Sequence, residues 1–454
     1  MNTARPENEA TFSPDDFPPR LGPSLLLVAG AALVGALTGL LGVAFLRLLT
    51  LGTNLRLGLT AQLAAEHPVS GWAILSLAVA ASAAVAAWLV RRFAPNAGGS
   101  GIPYVERILR GHGIPHHAGV LPVKFFGGLL ALSSGLVLGR EGPLVQMGAV
   151  IGEKVGRQIP GVSAAWKSLM TAGAGAGLAT AFNAPVGGTI FILEEVLRRV
   201  TPLSFILGAT AATASAVIQR AVFHSGQDFH VVPIEDPPAA SVLIFLAFGI
   251  FTGFVGVAYN RTLLFLRAVN AEISLLPAPL RAAAIGFLVG TVAWLRPEWV
   301  GGGDAITQSL LAGGSTLIAG LIAIRFLLGP LSYAAGTPGG LFAPIITLGA
   351  LFGIGIGHWQ SALWPTAQVS PTALAVAGMA GLFTATIRAP ITGIVICLEM
   401  TGCYSLLFPL LATSLGAYLI PTLLKDTPIY DALAAQPPGG LNPVARSSPS
   451  PRSR

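Results

Sequence analysis

The chain has 454 residues, of which 53% are hydrophobic and only 10% charged, and its mean hydropathy is +0.73; a soluble domain carries about 25% charged residues. That composition excludes an ordinary soluble protein and describes an integral membrane protein. The net charge of +7 does not mark a nucleic-acid binder, because no dense basic run lies outside the loops and the tail, and basic residues on cytoplasmic loops account for the surplus.

Residues 1–22 hold acids and prolines and lack a short apolar segment ending in a small-residue cleavage site. They read as a cytoplasmic N-terminal segment without a removable signal peptide. Residues 24–46, 72–90 and 239–259 each approach the roughly 20 apolar residues that one membrane-spanning helix needs. Residues 125–138, 144–151, 186–193, 345–356 and 391–400 are apolar too, but Gly or Pro interrupts each before that length. Non-helical backbone at membrane depth survives only where protein or a water-lined cavity satisfies it, so these pieces are predicted to be half-helices that meet around an interior site. The expected fold class is an all-α polytopic membrane protein with about 16–18 membrane helices, many tilted or broken. No soluble regulatory domain fits after Tyr430, and residues 437–454, rich in Pro, Ser, Gly and Arg, read as a disordered cytoplasmic tail.

Motifs recur in the same order at a nearly constant offset. Gly99-Ser100-Gly101 answers to Gly301-Gly302-Gly303, and Gly142-Pro143, Gly148 and Gly152 answer to Ala343-Pro344, Gly349 and Gly353. Further on, Ala184-Pro185, Gly188 and Leu193-Glu194 answer to Ala389-Pro390, Gly393 and Leu398-Glu399. Two membrane repeats are therefore expected, residues 25–232 and 239–433, with residues 230–238 as linker. Transporters with broken helices near the midplane often use inverted repeats, which is the expectation here.

One stretch carries both charge and helix-start chemistry. Gly139-Arg140-Glu141-Gly142-Pro143 sets an ion pair between apolar segments, and ionisable residues inside a membrane are expensive and by default functional. Pro143 suits a first helical turn, whose amides and dipole point at whatever lies in front. Gly99-Ser100-Gly101-Ile102-Pro103, Gly339-Gly340-Leu341-Phe342-Ala343-Pro344 and the short helix expected near Tyr430 supply further helix ends. Several such ends hold an anion without a full positive charge, so that the ion can also leave.

Those segments, together with Phe182-Asn183-Ala184-Pro185 running on to Glu194-Glu195, resemble the signature set of the CLC family of chloride channels and chloride/proton antiporters, in its prokaryotic type without cytoplasmic regulatory domains. The resemblance covers residues 25–433. It implies that the Ser100 and Tyr430 hydroxyls face a central anion with the backbone amides of Leu341 and Phe342, and that amides around Arg140, Gly142 and Ala343 face an outer site. It further implies that Glu141 is the gating carboxylate and proton acceptor, that Glu195 is the inner proton relay, and that Lys124 adds positive potential near the path. No cofactor or metal is implied. The expected partners are chloride, protons, membrane lipid and a second copy of the chain, meeting through residues 186–218 and 391–424. The expected place is the cell membrane, a bacterial inner membrane, with both termini cytoplasmic. Residue chemistry agrees independently: a carboxylate facing helix starts competes with an anion for them, so anion occupancy and protonation are linked, and hydroxyl donors hold chloride without adding fixed charge.

Plainer roles stand beside these. Glu141 is also readable as a structural partner of Arg140, and Glu194 and Glu195 as partners of Arg198 and Arg199 one helical turn on. Tyr430 alone would be an interfacial belt residue, and Ser100 alone a helix cap. Glu399 is assigned to capping or pairing inside the bundle. His112, His116 and His117 read as a solvated loop and not a metal site, for want of nearby carboxylates. Cys397 and Cys403 read as small buried hydrophobes. Three functions remain in competition: an antiporter, favoured by the presence of both Glu141 and Glu195; a passive chloride channel of the same fold; and an intramembrane protease or lipid transferase, for which no Ser/His, paired-Asp or metal arrangement is found. In the family, serine at the position of Ser100 goes with chloride preference, and fluoride exporters depart from the Gly-Arg-Glu-Gly-Pro pattern, so chloride is the expected substrate.

Overall fold

A computed structural model of the chain describes residues 21–435 except 114, 116–118, 160–164, 224–227, 235, 274, 315–317 and 368. Most of the N-terminal segment, the tail from 437 onward, and His116 and His117 lie outside the described residues. The first part of the chain forms α1 (Leu21–Glu66), α2 (Gly71–Phe93), α3 (Ile102–Leu109), α4 (Val120–Ser133), α5 (Glu141–Gln158), α6 (Trp166–Phe182), α7 (Pro185–Phe191) and α8 (Pro202–Phe223). The second forms α9 (Val242–Glu272), α10 (Ala278–Leu295), α11 (Asp304–Leu311), α12 (Ile318–Ala334), α13 (Phe342–Leu363), α14 (Pro371–Ile387), α15 (Pro390–Thr401) and α16 (Leu407–Leu423), and α17 (Ile429–Ala434) follows. Beside these 17 α-helices the described residues hold isolated bridges but no strand. Among the described residues seven helices are long and apolar enough to cross a membrane, as a multi-pass membrane protein requires.

Two expectations about length are corrected. The first span does not stop near residue 46: α1 runs for 46 residues to Glu66. Within that continuation the threonine hydroxyls are satisfied by the helix itself, Thr50 Oγ1 donating to Leu46 O at 3.0 Å and Thr60 Oγ1 to Arg56 O at 2.8 Å. Nor are the glycine-rich pieces at 144–151 and 345–356 short. They lie inside α5, of 18 residues, and α13, of 22.

Their glycines mark crossings, not breaks. A Cβ on Gly148 or Gly152 would strike the backbone of Gly173 or Leu169 on α6, and one on Gly349 or Gly353 would strike Gly378 or Leu374 on α14. Small residues let membrane helices approach until backbones touch, and here α5 and α6 repeat the crossing of α13 and α14. Both α6 and α14 then end in a left-handed residue, Asn183 at φ 49° and Arg388 at φ 73°, and α7 and α15 each restart on a proline. Helices α2 and α10 lie side by side and antiparallel: Gly71 meets Trp294, Ser76 meets Gly290 and Ala83 meets Gly286.

The crossing predicts a sharp contrast between glycines. Gly148→Val should cost about 1–3 kcal/mol by forcing α5 off α6, read as a lower midpoint of thermal unfolding in detergent. Gly58→Ala, at a position with open space around it, should leave that midpoint unchanged or slightly raised. Equal behaviour of the two variants would contradict the crossing.

Candidate functional site

Three loop segments are stitched together by backbone pairs. Gly99 donates to Thr337 O and Gly339 donates back to Gly99 O, both at 3.0 Å, while Gly139 and Gly340 exchange bonds of 2.9 and 2.7 Å. Lys124, fully buried on α4, donates to Ala97 O at 3.1 Å and Gly99 O at 2.7 Å. The second half does the same with a residue that sequence reading missed: Arg325 on α12 donates to Trp299 O, Gly301 O and Gly302 O at 3.1, 3.1 and 2.8 Å. Its signal was the repeat offset that relates it to Lys124. Gly101 has φ +85°, and a Cβ there would collide with Gln146, so only glycine turns the chain into α3 at this point.

Glu141 is the first residue of α5 and is completely buried. Its Oε1 accepts the Phe342 N–H, at the start of α13, at 2.7 Å. Its Oε2 has no hydrogen-bond partner. The carboxylate lies so close to Gly139 and Gly340 that a Cβ on either would strike it. Arg140 is not its partner: the guanidinium donates to Ala181 O at 2.9 Å and pairs with Asp228 at 3.2 Å and Asp304 at 3.7 Å. The plain ion-pair role for Glu141 is thereby corrected, because Arg140 is already neutralised by two aspartates from elsewhere in the chain.

Ser100 Oγ and Tyr430 Oη are both buried and neighbour each other, yet neither completes a hydrogen bond. Ser100 is not a helix cap, since α3 is capped by Gly101; its amide points to Tyr333 Oη at 3.4 Å. Phe342 places its ring among Phe182, Phe191, Phe383 and Tyr430, with centroids 6.4, 5.8, 4.7 and 5.8 Å away. Two buried hydroxyls that need a partner thus flank an aromatic cluster, and a weakly held anion is a group they can satisfy.

Glu195 sits in a π-helical turn, Ile192–Val196, and is 2% exposed. Arg198 lies 3.5 Å from it and pairs with Asp431 at 2.8 Å; Arg110 bridges Asp431 at 3.1 Å and Glu106 at 3.2 Å. This chain of charges joins the π turn, α17 and the end of α3, and so fixes Glu195 and Tyr430 relative to one another. Asp431, Arg110 and Glu106 were not foreseen. Glu194 does not pair with Arg198 as the helical spacing suggested. It accepts from Ile391 N–H, Thr392 N–H and Thr392 Oγ1 at 3.0, 2.6 and 2.7 Å, capping α15, while Glu399 accepts from Val186 N–H and Gly187 N–H at 3.1 and 2.6 Å, capping α7. A carboxylate can reach across to the other half and satisfy two orphan amides at a helix start. His112 is exposed, and Cys397 and Cys403 are free thiols.

Cavities approach this centre from two sides. One of about 570 Å3 is lined by Arg140, Ala343, Asp304 and Glu298. One of about 170 Å3 reaches Gly99, Gly101 and Tyr333, and one of about 730 Å3 reaches Glu194, Glu195 and Pro428. The first two lie at opposite ends of α10, because Ala278 and Arg281 at its start line the smaller and Pro297 and Glu298 just past its end line the larger. The second and third flank α17, at Leu433 and Pro428 respectively.

The sequence profile described as voltage gated chloride channel matches residues 82–422. An H(+)/Cl(-) exchange transporter, ClcA of Salmonella paratyphi B, is 37% identical over 422 residues, covering 91% of this chain and 89% of the relative. The crystal structure of a slow cyanobacterial Cl-/H+ antiporter is similar with a TM-score of 0.86 at 30% identity, covering 90% of this chain and 97% of that one. A CLC-type fluoride/proton antiporter shares the fold with a TM-score of 0.72 at 20% identity, over 87% of this chain and 95% of that one.

The reciprocal caps predict a symmetric loss. Glu194→Ala and Glu399→Ala should each destabilise the protein by about 1–2 kcal/mol, as helix-cap removal does, seen as similar drops in thermal midpoint. An unchanged midpoint in either variant would overturn that cap.

Proposed function

The chain belongs to the voltage gated chloride channel family, and from that premise we propose that it exchanges chloride for protons across the membrane, with a carboxylate that competes with the anion as its gate. The observation that carries the reading is the bond between the Glu141 carboxylate and the Phe342 amide. An anion needs that amide, and the side chain occupies it. Protonation removes the charge that holds the carboxylate there, so Glu141 swings aside and chloride takes its place. Arrival of chloride in turn favours the protonated side chain by repulsion. Each ligand therefore shifts the other's binding, which is the minimum that coupling requires.

Chloride reaches the centre from the cavity beside Gly99 and Gly101, where the Ser100 and Tyr430 hydroxyls and the amides of Leu341 and Phe342 receive it. The amides around Arg140, Gly142 and Ala343 hand it to the larger cavity at the far end of α10. Protons take a different way in. Glu195 borders its own cavity on the other flank of α17 and passes a proton toward Glu141 past the aromatic cluster around Phe342. The network through Arg198 and Asp431 holds Glu195 beside Tyr430 and keeps the two routes adjacent at one end and separate at the mouth.

Residues 25–232 and 239–433 are two inverted repeats in this reading. Equivalent helices of inverted repeats run in opposite directions, as α2 and α10 do, and the exchanged caps of Glu194 and Glu399 have the reciprocity of a two-fold axis. The protein acts as a homodimer, one path per chain, through the surface of α7, α8, α15 and α16, where Phe205, Phe408 and Leu415 are exposed; lipid covers the remaining apolar surface. It resides in a bacterial inner membrane with both termini cytoplasmic, and it is a transporter, not an enzyme.

In liposomes, an imposed chloride gradient should drive protons uphill. Glu195→Ala should reduce proton movement to background while chloride still flows. Glu141→Ala should also uncouple, bind more chloride per chain because the Phe342 amide is released, and lack the rise in flux expected of the unmodified protein as pH falls. Absence of uphill proton transport by the unmodified protein would instead make it a passive channel. Calorimetry should rank chloride above fluoride; the reverse order would overturn the substrate.

A further inference from the structure

We propose that the cavity beside Ser100 binds a phosphate group, free or carried on a lipid, and that its occupation blocks the anion path; the blocking, though not the binding, rests on the function proposed above. The cavity is lined by Arg91, Arg107, Arg267 and Arg281, brought together from α2, α3, α9 and α10, and no aspartate or glutamate lines it. None of these four guanidinium groups makes an ion pair or hydrogen bond among the described residues. Nε and Nη1 of Arg281 are buried without a partner, and Arg91 repels that side chain across the α2–α10 contact. Arg140, Arg110 and Arg198, by contrast, all meet carboxylates.

A bias of basic residues toward the cytoplasmic face explains why arginines lie near the membrane surface. It does not explain their convergence on one cavity that ends at the backbone of Gly99 and Gly101. Chloride transport does not require them either, since four permanent charges exceed what a monovalent ion balances, and an ion held too strongly is not released. Guanidinium groups cannot shed their charge, and their planar fork matches the oxygens of a phosphate. At about 170 Å3 the cavity is smaller than the roughly 300–1,000 Å3 of sites for drug-sized ligands. It suits phosphate or pyrophosphate, or one lipid headgroup, and not a whole nucleotide. An occupant there stands between Ser100 and the solution.

The test uses the full chain and two sources of phosphate. Pyrophosphate is titrated calorimetrically into the detergent-solubilised protein, and chloride flux is measured in proteoliposomes with pyrophosphate on both faces at matched ionic strength. A second arm compares vesicles of phosphatidylcholine alone with vesicles containing phosphatidylglycerol. The proposal expects pyrophosphate to bind once per chain and slow chloride flux, or phosphatidylglycerol to slow it where pyrophosphate does not, the latter identifying the headgroup as the source. In Arg267→Gln/Arg281→Gln either effect, read as a fraction of that variant's own flux in phosphatidylcholine vesicles without pyrophosphate, should weaken at least about tenfold. Arg91→Gln, a surface change that spares the fold, should weaken it in the same direction. No binding heat and no inhibition from either source, or inhibition untouched by these variants, would overturn the site. Binding heat in a protein that moves no chloride would leave the site standing and remove the transport reading.

Discussion

A single hydrogen bond joins the two halves of this protein where both present a helix start. The Phe342 amide, first residue of α13, donates to the carboxylate of Glu141, first residue of α5. Everything nearby serves to make that meeting possible. Gly139 and Gly340 pair backbone to backbone and carry no side chain because the carboxylate fills the space. Lys124 and Arg325 tie the loops on either side by their carbonyls, so the approach of the two helix ends is held by buried cations acting as braces. A hydrogen bond to a charged group contributes about 1.5–3 kcal/mol. That is enough to seat the carboxylate and little enough for an anion and a proton together to displace it.

The close approach depends in turn on small residues. Helix α5 can aim Glu141 at α13 only because its glycines let it lie directly on α6, and α13 lies on α14 by the same device. In a membrane no difference in hydrophobicity pulls helices together, so contact at this range comes from shape and dispersion. The glycines that fix the outer packing and the glycines that leave room for the carboxylate are thus parts of one construction. Lose the crossing and Glu141 loses its partner.

Much of this was legible in the sequence, for reasons that can be named. Helix starts announce themselves locally, through Gly-Pro spacing, and so the segments at 99–103, 139–143 and 339–344 were placed correctly as converging helix ends. The aspartates that take Arg140 away from Glu141 were not legible, because Asp228 and Asp304, the latter at the start of α11, arrive from far along the chain. The helical spacing from Glu194 to Arg198 looked like a stabilising pair, but the carboxylate had a stronger offer in two unpaired amides of α15. Glycine, finally, signals both a break and a close contact. In α5 and α13 the tertiary contact prevailed, and only the packing partner distinguishes the cases.

The repeat itself separates scaffold from chemistry. Where the two halves carry the same group at equivalent positions, that group is structural: Glu194 and Glu399 each cap the other half's helix, Lys124 and Arg325 each brace a loop, and the glycines of α5 and α13 each seat a crossing. Where the halves differ, the proposed chemistry appears. Glu141 stands where the second half has Phe342, Ser100 where it has Gly302, and Glu195 where it has Met400, while Tyr430 belongs to α17, a ninth helix that the eight helices of the first half do not match. A symmetric pair of helix starts would hold an anion equally from both halves and couple it to nothing. Replacing one apolar side chain by a carboxylate puts a group of one half on the helix start of the other, and in the proposed exchange that asymmetry gives the proton its place.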